Sequence, residues 1–218
     1  METLKTHILN RFKILSILTI SMALSIILLM IRIKYHQSFY LLFLVWNLFL
    51  AVIPFAITTS LISNPKSNKI SLILSFGVWL LFLPNAPYII TDLLHLNNSP
   101  EHLLWLDVLV IVSFAFNGLM LFMLSLSDME KLLKLHFNPK IMFPIMLSIF
   151  GLTAFGIYLG RFLRYNSWEL INNPTALFSD ILQIIFQPNI EAWIFTLTFG
   201  AFLAMTYWLL IAFSNKKL

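Results

Sequence analysis

Six apolar runs, at residues 14–31, 39–61, 70–90, 103–126, 141–160 and 191–213, constrain this chain more than any other feature. A helix that crosses a bilayer needs about 20 mostly apolar residues and satisfies its own backbone hydrogen bonds on the way. The 218 residues are 60% hydrophobic and 11% charged, well above the roughly 45–50% apolar content of soluble domains. A water-soluble fold of this length has too little interior to hide that much apolar surface. The expected fold is therefore an all-α polytopic membrane helical bundle of about six transmembrane helices. It should form a single transmembrane domain over residues 1–218, because the connections between the first four runs are short and no internal repeat is present.

The first run follows Lys5, Arg11 and Lys13, the basic flank of a signal peptide. It is longer than a typical signal core, and Met30-Ile31-Arg32-Ile33 offers no small-residue cleavage site, so a retained helix is expected. The net charge of +5 comes from Lys and Arg scattered in ones and twos, a topogenic pattern rather than a nucleic-acid footprint. Lys5, Arg11, Lys13, Lys66, Lys69, Lys131, Lys134, Lys140, Lys216 and Lys217 fall on one side of the six spans; Arg32, Lys34, Arg161 and Arg164 fall on the other. The positive-inside rule then makes both termini cytoplasmic, with Arg32 and Lys34 on the wrong side. Cysteine is absent, which excludes disulfides, thiolate metal sites and Cys nucleophiles.

Two segments depart from plain spans. Pro84 and Pro87 in Leu83-Pro84-Asn85-Ala86-Pro87-Tyr88 each lack an amide donor and clash one turn back, so the third helix should break there, with Asn85 capping its restart. Between the fifth and sixth runs, Asn173-Pro174 resembles an N-cap followed by Pro at the first helical position. Apolar residues recur from there at near-helical spacing. A helix over about 174–187 is too short to span, which leaves an interfacial or re-entrant element on the outer face, or one packed on the bundle.

Ionisable residues near the hydrocarbon are costly and mark functional sites by default. Asp92 and His95 sit at i, i+3 after the break, a spacing open to a proton relay but with too few ligands for a metal site. Asp107 lies among Trp105-Leu106 and Val108-Leu109, where a structural ion pair competes with a functional role; Arg161 or Arg164 is the expected partner. Arg161 and Arg164 should share a helix face, with Glu169 just beyond. Asn47 and Asn117 are expected to hydrogen-bond between helices. Asp128 adjoins the loop holding Glu130 and Lys131 and should belong to that solvated surface. No Gly-rich phosphate loop, H-E-x-x-H or G-x-S-x-G occurs.

Pro84-Asn85-Ala86-Pro87-Tyr88-Ile89-Ile90-Thr91-Asp92-Leu93-Leu94-His95-Leu96, then Trp105-Leu106-Asp107, then Gly160-Arg161-Phe162-Leu163-Arg164-Tyr165-Asn166-Ser167-Trp168-Glu169 resemble the bacterial multi-pass membrane family called domain of unknown function 1361. The family pattern has Trp where Tyr165 stands and Asp where Glu169 stands, which weakens a strict geometric role for Glu169. The resemblance implies a bacterial inner or cytoplasmic membrane protein and no particular activity.

Three functions fit these residues. One is binding or transport of an anionic or lipid-linked ligand on Asn85, Asp92, His95, Asp107, Arg161, Arg164 and Glu169. Another is a membrane enzyme acting on an amphipathic substrate with His95 or Asp107 as base. The last is an accessory subunit whose polar residues only hold helices together. The lipid bilayer is the one certain partner; no residue specifies a cofactor, an oligomeric state or a nucleic acid.

Overall fold

A computed structural model describes residues 11–63, 69–165, 172–187 and 189–215. The described residues are helical and contain six helices long and apolar enough to cross a membrane. In chain order they are α1 (Phe12–His36), α2 (Phe43–Ser63), α3 (Lys69–Phe82), the four-residue α4 (Asn85–Tyr88), a 3₁₀ segment (Ile89–Asn98), a 3₁₀ turn (Glu101–Leu103), α5 (Leu104–Lys134), α6 (Pro139–Phe162), α7 (Pro174–Phe186) and α8 (Ile190–Asn215). They form two compact units, residues 1–132 and 133–218.

The surface differs from a soluble protein's in its many exposed large apolar side chains. On α1, Ile17, Ile20, Leu24, Ile27 and Ile31 point outward while Ser25 and Arg32 are buried. On α5, Val108, Val112 and Phe116 are exposed and Asp107, Asn117, Ser125 and Asp128 are buried. Apolar patches this extensive mark a surface meant for something other than water, and lipid satisfies it at no cost while the polar side chains bond to one another inside.

In the first unit α2 packs on α3, α4 and the 3₁₀ segment, around Leu44, Trp79, Leu83, Ile89, Phe114 and Phe122. Trp79 can be wholly buried because its indole N–H donates to Ser125 Oγ on α5 at 2.8 Å. A run of polar contacts joins α1 to α5 in antiparallel register. Arg11 donates to both oxygens of Asp128, at 2.6 and 2.5 Å; Asn117 donates to Ser25 Oγ at 2.9 Å; Arg32 meets Asp107. Asp128 is thus a buried partner of Arg11, with Lys131 3.8 Å away, and not part of a solvated loop.

The break expected in the third helix takes a gentler form than a new start. Pro84 keeps helical dihedrals, and Ala86 N–H donates to Leu83 C=O in a tightened turn, with Tyr88 N–H reaching Pro84 C=O. Asn85 does not cap a restarting helix; its amide donates backward to Phe82 C=O at 3.0 Å. Here it replaces the Ala86 amide that has moved to Leu83. The chain then tightens into ten residues of 3₁₀ helix, long for that conformation.

In the second unit α6 and α8 pair as an antiparallel hairpin, with Phe143 stacked on Trp208 and Phe150 against Tyr207. Helix α7, expected at about 174–187, covers Pro174–Phe186 and buries Leu177 and Ile184, two turns apart; Ile184 meets Tyr158 and Ala192.

Candidate functional site

The expected outer-face residues are divided between the two units. Asp92, His95 and Asp107 lie in the first unit with Asn85; Arg161 and Arg164 lie in the second, and Glu169 is outside the described residues.

Asp107 starts α5 and is 0% exposed. Its partner is Arg32 of α1, not Arg161 or Arg164: Arg32 Nε donates to Oδ1 at 2.8 Å and Nη2 to Oδ2 at 3.3 Å. Nη1 donates to Ser38 C=O at 2.9 Å, so the 1%-exposed guanidinium is satisfied on three nitrogens. A planar fork matches a carboxylate in this way, and Lys would not.

Arg32 also lies under Tyr40, its Cζ 5.9 Å from the ring centroid. Tyr40 carries the cluster onward. Its hydroxyl donates to His95 C=O at 3.1 Å, lies 3.3 Å from His95 Nδ1, and accepts from the Asn98 amide. His95 is about one-third exposed and packs on Phe43. Its Nε2 is 3.8 Å from Oδ1 of Asp92, which is 1% exposed, and Asn47 of α2 donates to Oδ2 of Asp92 at 2.9 Å. The 3₁₀ geometry sets this pair: at three residues per turn, i and i+3 eclipse, stacking His95 over Asp92.

Arg32, Tyr40 and Asn47 were not among the expected site residues. One sequence signal pointed to Arg32: it stood on the wrong side by the charge rule, and a buried arginine is not a topogenic one. Asn47, expected to hydrogen-bond between helices, does so from α2 to the 3₁₀ segment, and its partner there is the buried acid Asp92. Asn117 does bridge helices, to Ser25.

In the second unit the arginines do not share a helix face. Arg161 is half-buried in the last turn of α6. Helix α6 ends at Phe162, and exposed Arg164 has φ 62°, the left-handed conformation that closes helix C-termini. This turn sends Tyr165 N–H back to Leu159 C=O at 3.1 Å. Among the described residues no group of three or more His, Cys, Asp or Glu is placed to hold a metal.

Residues 46–206 match a family model described as "Protein of unknown function (DUF1361)". The chain belongs to this family. No curated protein and no solved structure matches it. The DUF1361 region holds Asn47, Asn85, Asp92, His95, Asp107, Arg161 and Arg164, whereas Arg32 and Tyr40 precede it. The buried acid Asp107 of the DUF1361 region is therefore neutralised by a residue from outside that region.

Proposed function

We propose that this protein binds, and in transport moves, an amphipathic or lipid-linked ligand whose polar headgroup engages the Asp92–His95 cluster at the outer membrane face. One observation carries the reading: a fully buried carboxylate lies 3.8 Å from an imidazole that is one-third exposed, so His95 stands between solvent and a buried acid. Intramembrane Asp and His side chains serve as ligand and proton sites, and histidine changes charge near neutral pH. Arg32 does not supply an anion site here, since its nitrogens are taken by Asp107 and Ser38. The ligand's polar head relies instead on the His95 imidazole, which offers a ring N–H as donor.

Native mass spectrometry of the full chain from a mild detergent tests this reading. A discrete co-purifying adduct should persist in the Arg161→Ala, Arg164→Ala double variant and disappear in His95→Ala. Loss only in the arginine variant moves the site to the second unit. An adduct pattern identical in all three abandons ligand binding at these residues, and leaves the helix-pinning role that the closed Arg32–Asp107 pair favours.

A further inference from the structure

The second unit contains a partly open cavity of about 310 Å³ among Tyr158 of α6, Asp180, Gln183 and Gln187 of α7 and its end, and Asn189 before α8, with Leu163 and Ile184 as apolar walls. Its size is at the lower end for small-molecule sites, roughly 300–1,000 Å³, which suits a single compact headgroup.

Helix α7 divides its surface into three arcs. Leu177 and Ile184 face the unit and are buried; Phe178, Leu182, Ile185 and Phe186 are exposed and apolar; Asp180 and Gln183 line the cavity. At 13 residues, or about 20 Å, α7 is shorter than a hydrocarbon core of roughly 30 Å. A helix with one arc on protein, one apolar and open, and one polar fits the membrane interface. A lipid's headgroup would enter the cavity while its chain lay along Phe178 and Leu182.

The lining chemistry discriminates among headgroups. Asn189 is fully engaged: its amide donates to the Tyr158 hydroxyl at 3.2 Å and its oxygen caps α8 at the amides of Glu191 and Ala192. Because that bond occupies the acceptor side of Tyr158, the Tyr158 O–H remains a donor. Asp180 Oδ2 accepts from Tyr165 at 2.8 Å, leaving Oδ1 for another donor. The side-chain amides of Gln183 and Gln187 have no hydrogen-bond partner among the described residues, and each offers both donors and an acceptor. Among the described residues no Lys or Arg lines the cavity, and its one charged group is the Asp180 carboxylate. Phosphate is therefore repelled, whereas vicinal hydroxyls, donors and acceptors at once, match an amide, carboxylate and phenol set.

We infer that this cavity binds the neutral polyhydroxyl headgroup, a sugar or polyol, of a membrane lipid. The inference stands on the second unit alone and does not depend on the Asp92–His95 reading.

The test uses the full chain in phosphatidylcholine nanodiscs and three photoactivatable probes with one diazirine-bearing tail and glucosyl, phosphate or amine heads. The glucosyl probe should label the peptide containing Pro174–Phe186 most strongly. Gln183→Ala, Gln187→Ala should lower that labelling at least about fivefold, as expected for two lost hydrogen bonds, and octyl glucoside should compete. Asp180→Asn keeps an oxygen that accepts from Tyr165 but loses the carboxylate charge, and should lower the glucosyl labelling too; should that variant fail to fold, the glutamine variant, whose side chains have no partner among the described residues, decides alone. Equal labelling by all three heads, preference for phosphate or amine, or labelling unchanged in the glutamine variant overturns the inference.

Discussion

Two charges buried together in a membrane are stable only as a pair, and Arg32 with Asp107 is such a pair. Removing one partner strands the other, at a typical cost of about 3–5 kcal/mol. Arg32→Met should therefore lower the thermal stability of the detergent-solubilised protein sharply, and Arg32→Met, Asp107→Leu should recover most of the loss, because an apolar pair of similar volume needs no neutralisation. A double variant as unstable as the single one would assign the pair a role beyond charge balance. Arg164 gives the opposite test. Its φ of 62° strains a side chain by roughly 1–2 kcal/mol, so Arg164→Gly should leave stability unchanged or raise it. A clear loss would mean that the guanidinium, and not the backbone, matters there. The acids of the candidate site were legible in the sequence because a carboxylate among apolar residues is conspicuous wherever it falls. His95, three residues after Asp92, was legible with it; the partner of Asp107 was not. Asp107 lies 75 residues from Arg32, and proximity in topology favoured the arginines at the end of α6; only the helix packing of the first unit makes the choice.

At the scale of elements, the spans were legible because their apolar runs match the hydrocarbon thickness, and the ends were not. The third run was expected to stop near residue 90, yet its helix continues in 3₁₀ form to Asn98, since hydrogen bonding to the backbone does not depend on apolar content. Close packing of α4 on α5 at Gly118 was equally silent in sequence. A Cβ on Gly118 would come within 2.3 Å of the Ala86 carbonyl oxygen and 3.1 Å of Ile89 Cδ1. Backbone cannot step aside as a flexible side chain can. Gly118→Ala should destabilise by about 1–3 kcal/mol, the usual cost of overpacking, and shift the 3₁₀ segment with Asp92 and His95. A thermal-unfolding midpoint equal to wild type would show that α4 is free to move away.

Across the first unit, the two ion pairs, Arg32–Asp107 fully buried and Arg11–Asp128 partly so, are spaced by a distance comparable with a bilayer's core. From 11 to 32 on the α1 side and from 107 to 128 on α5 is 21 residues each, about 32 Å at 1.5 Å per residue, against a hydrocarbon core of roughly 30 Å. A core of that thickness centred between the pairs would meet both at its headgroup boundaries, the two depths where charge is least costly, and between them α1 and α5 carry exposed apolar side chains. Such a spacing has no function in water and fits a helix pair that crosses. It also makes the orientation testable at both ends of one helix. The chain has no native cysteine, and Asn98 and Lys134 are exposed beyond either end of the Asp107–Asp128 stretch. In intact cells an impermeant maleimide should modify Asn98→Cys and spare Lys134→Cys until the membrane is opened. Modification of Lys134→Cys alone would invert the charge-rule orientation and place the Asp92–His95 cluster on the cytoplasmic side. Modification of both from outside would mean that α5 does not cross, and that its apolar face serves a partner other than lipid.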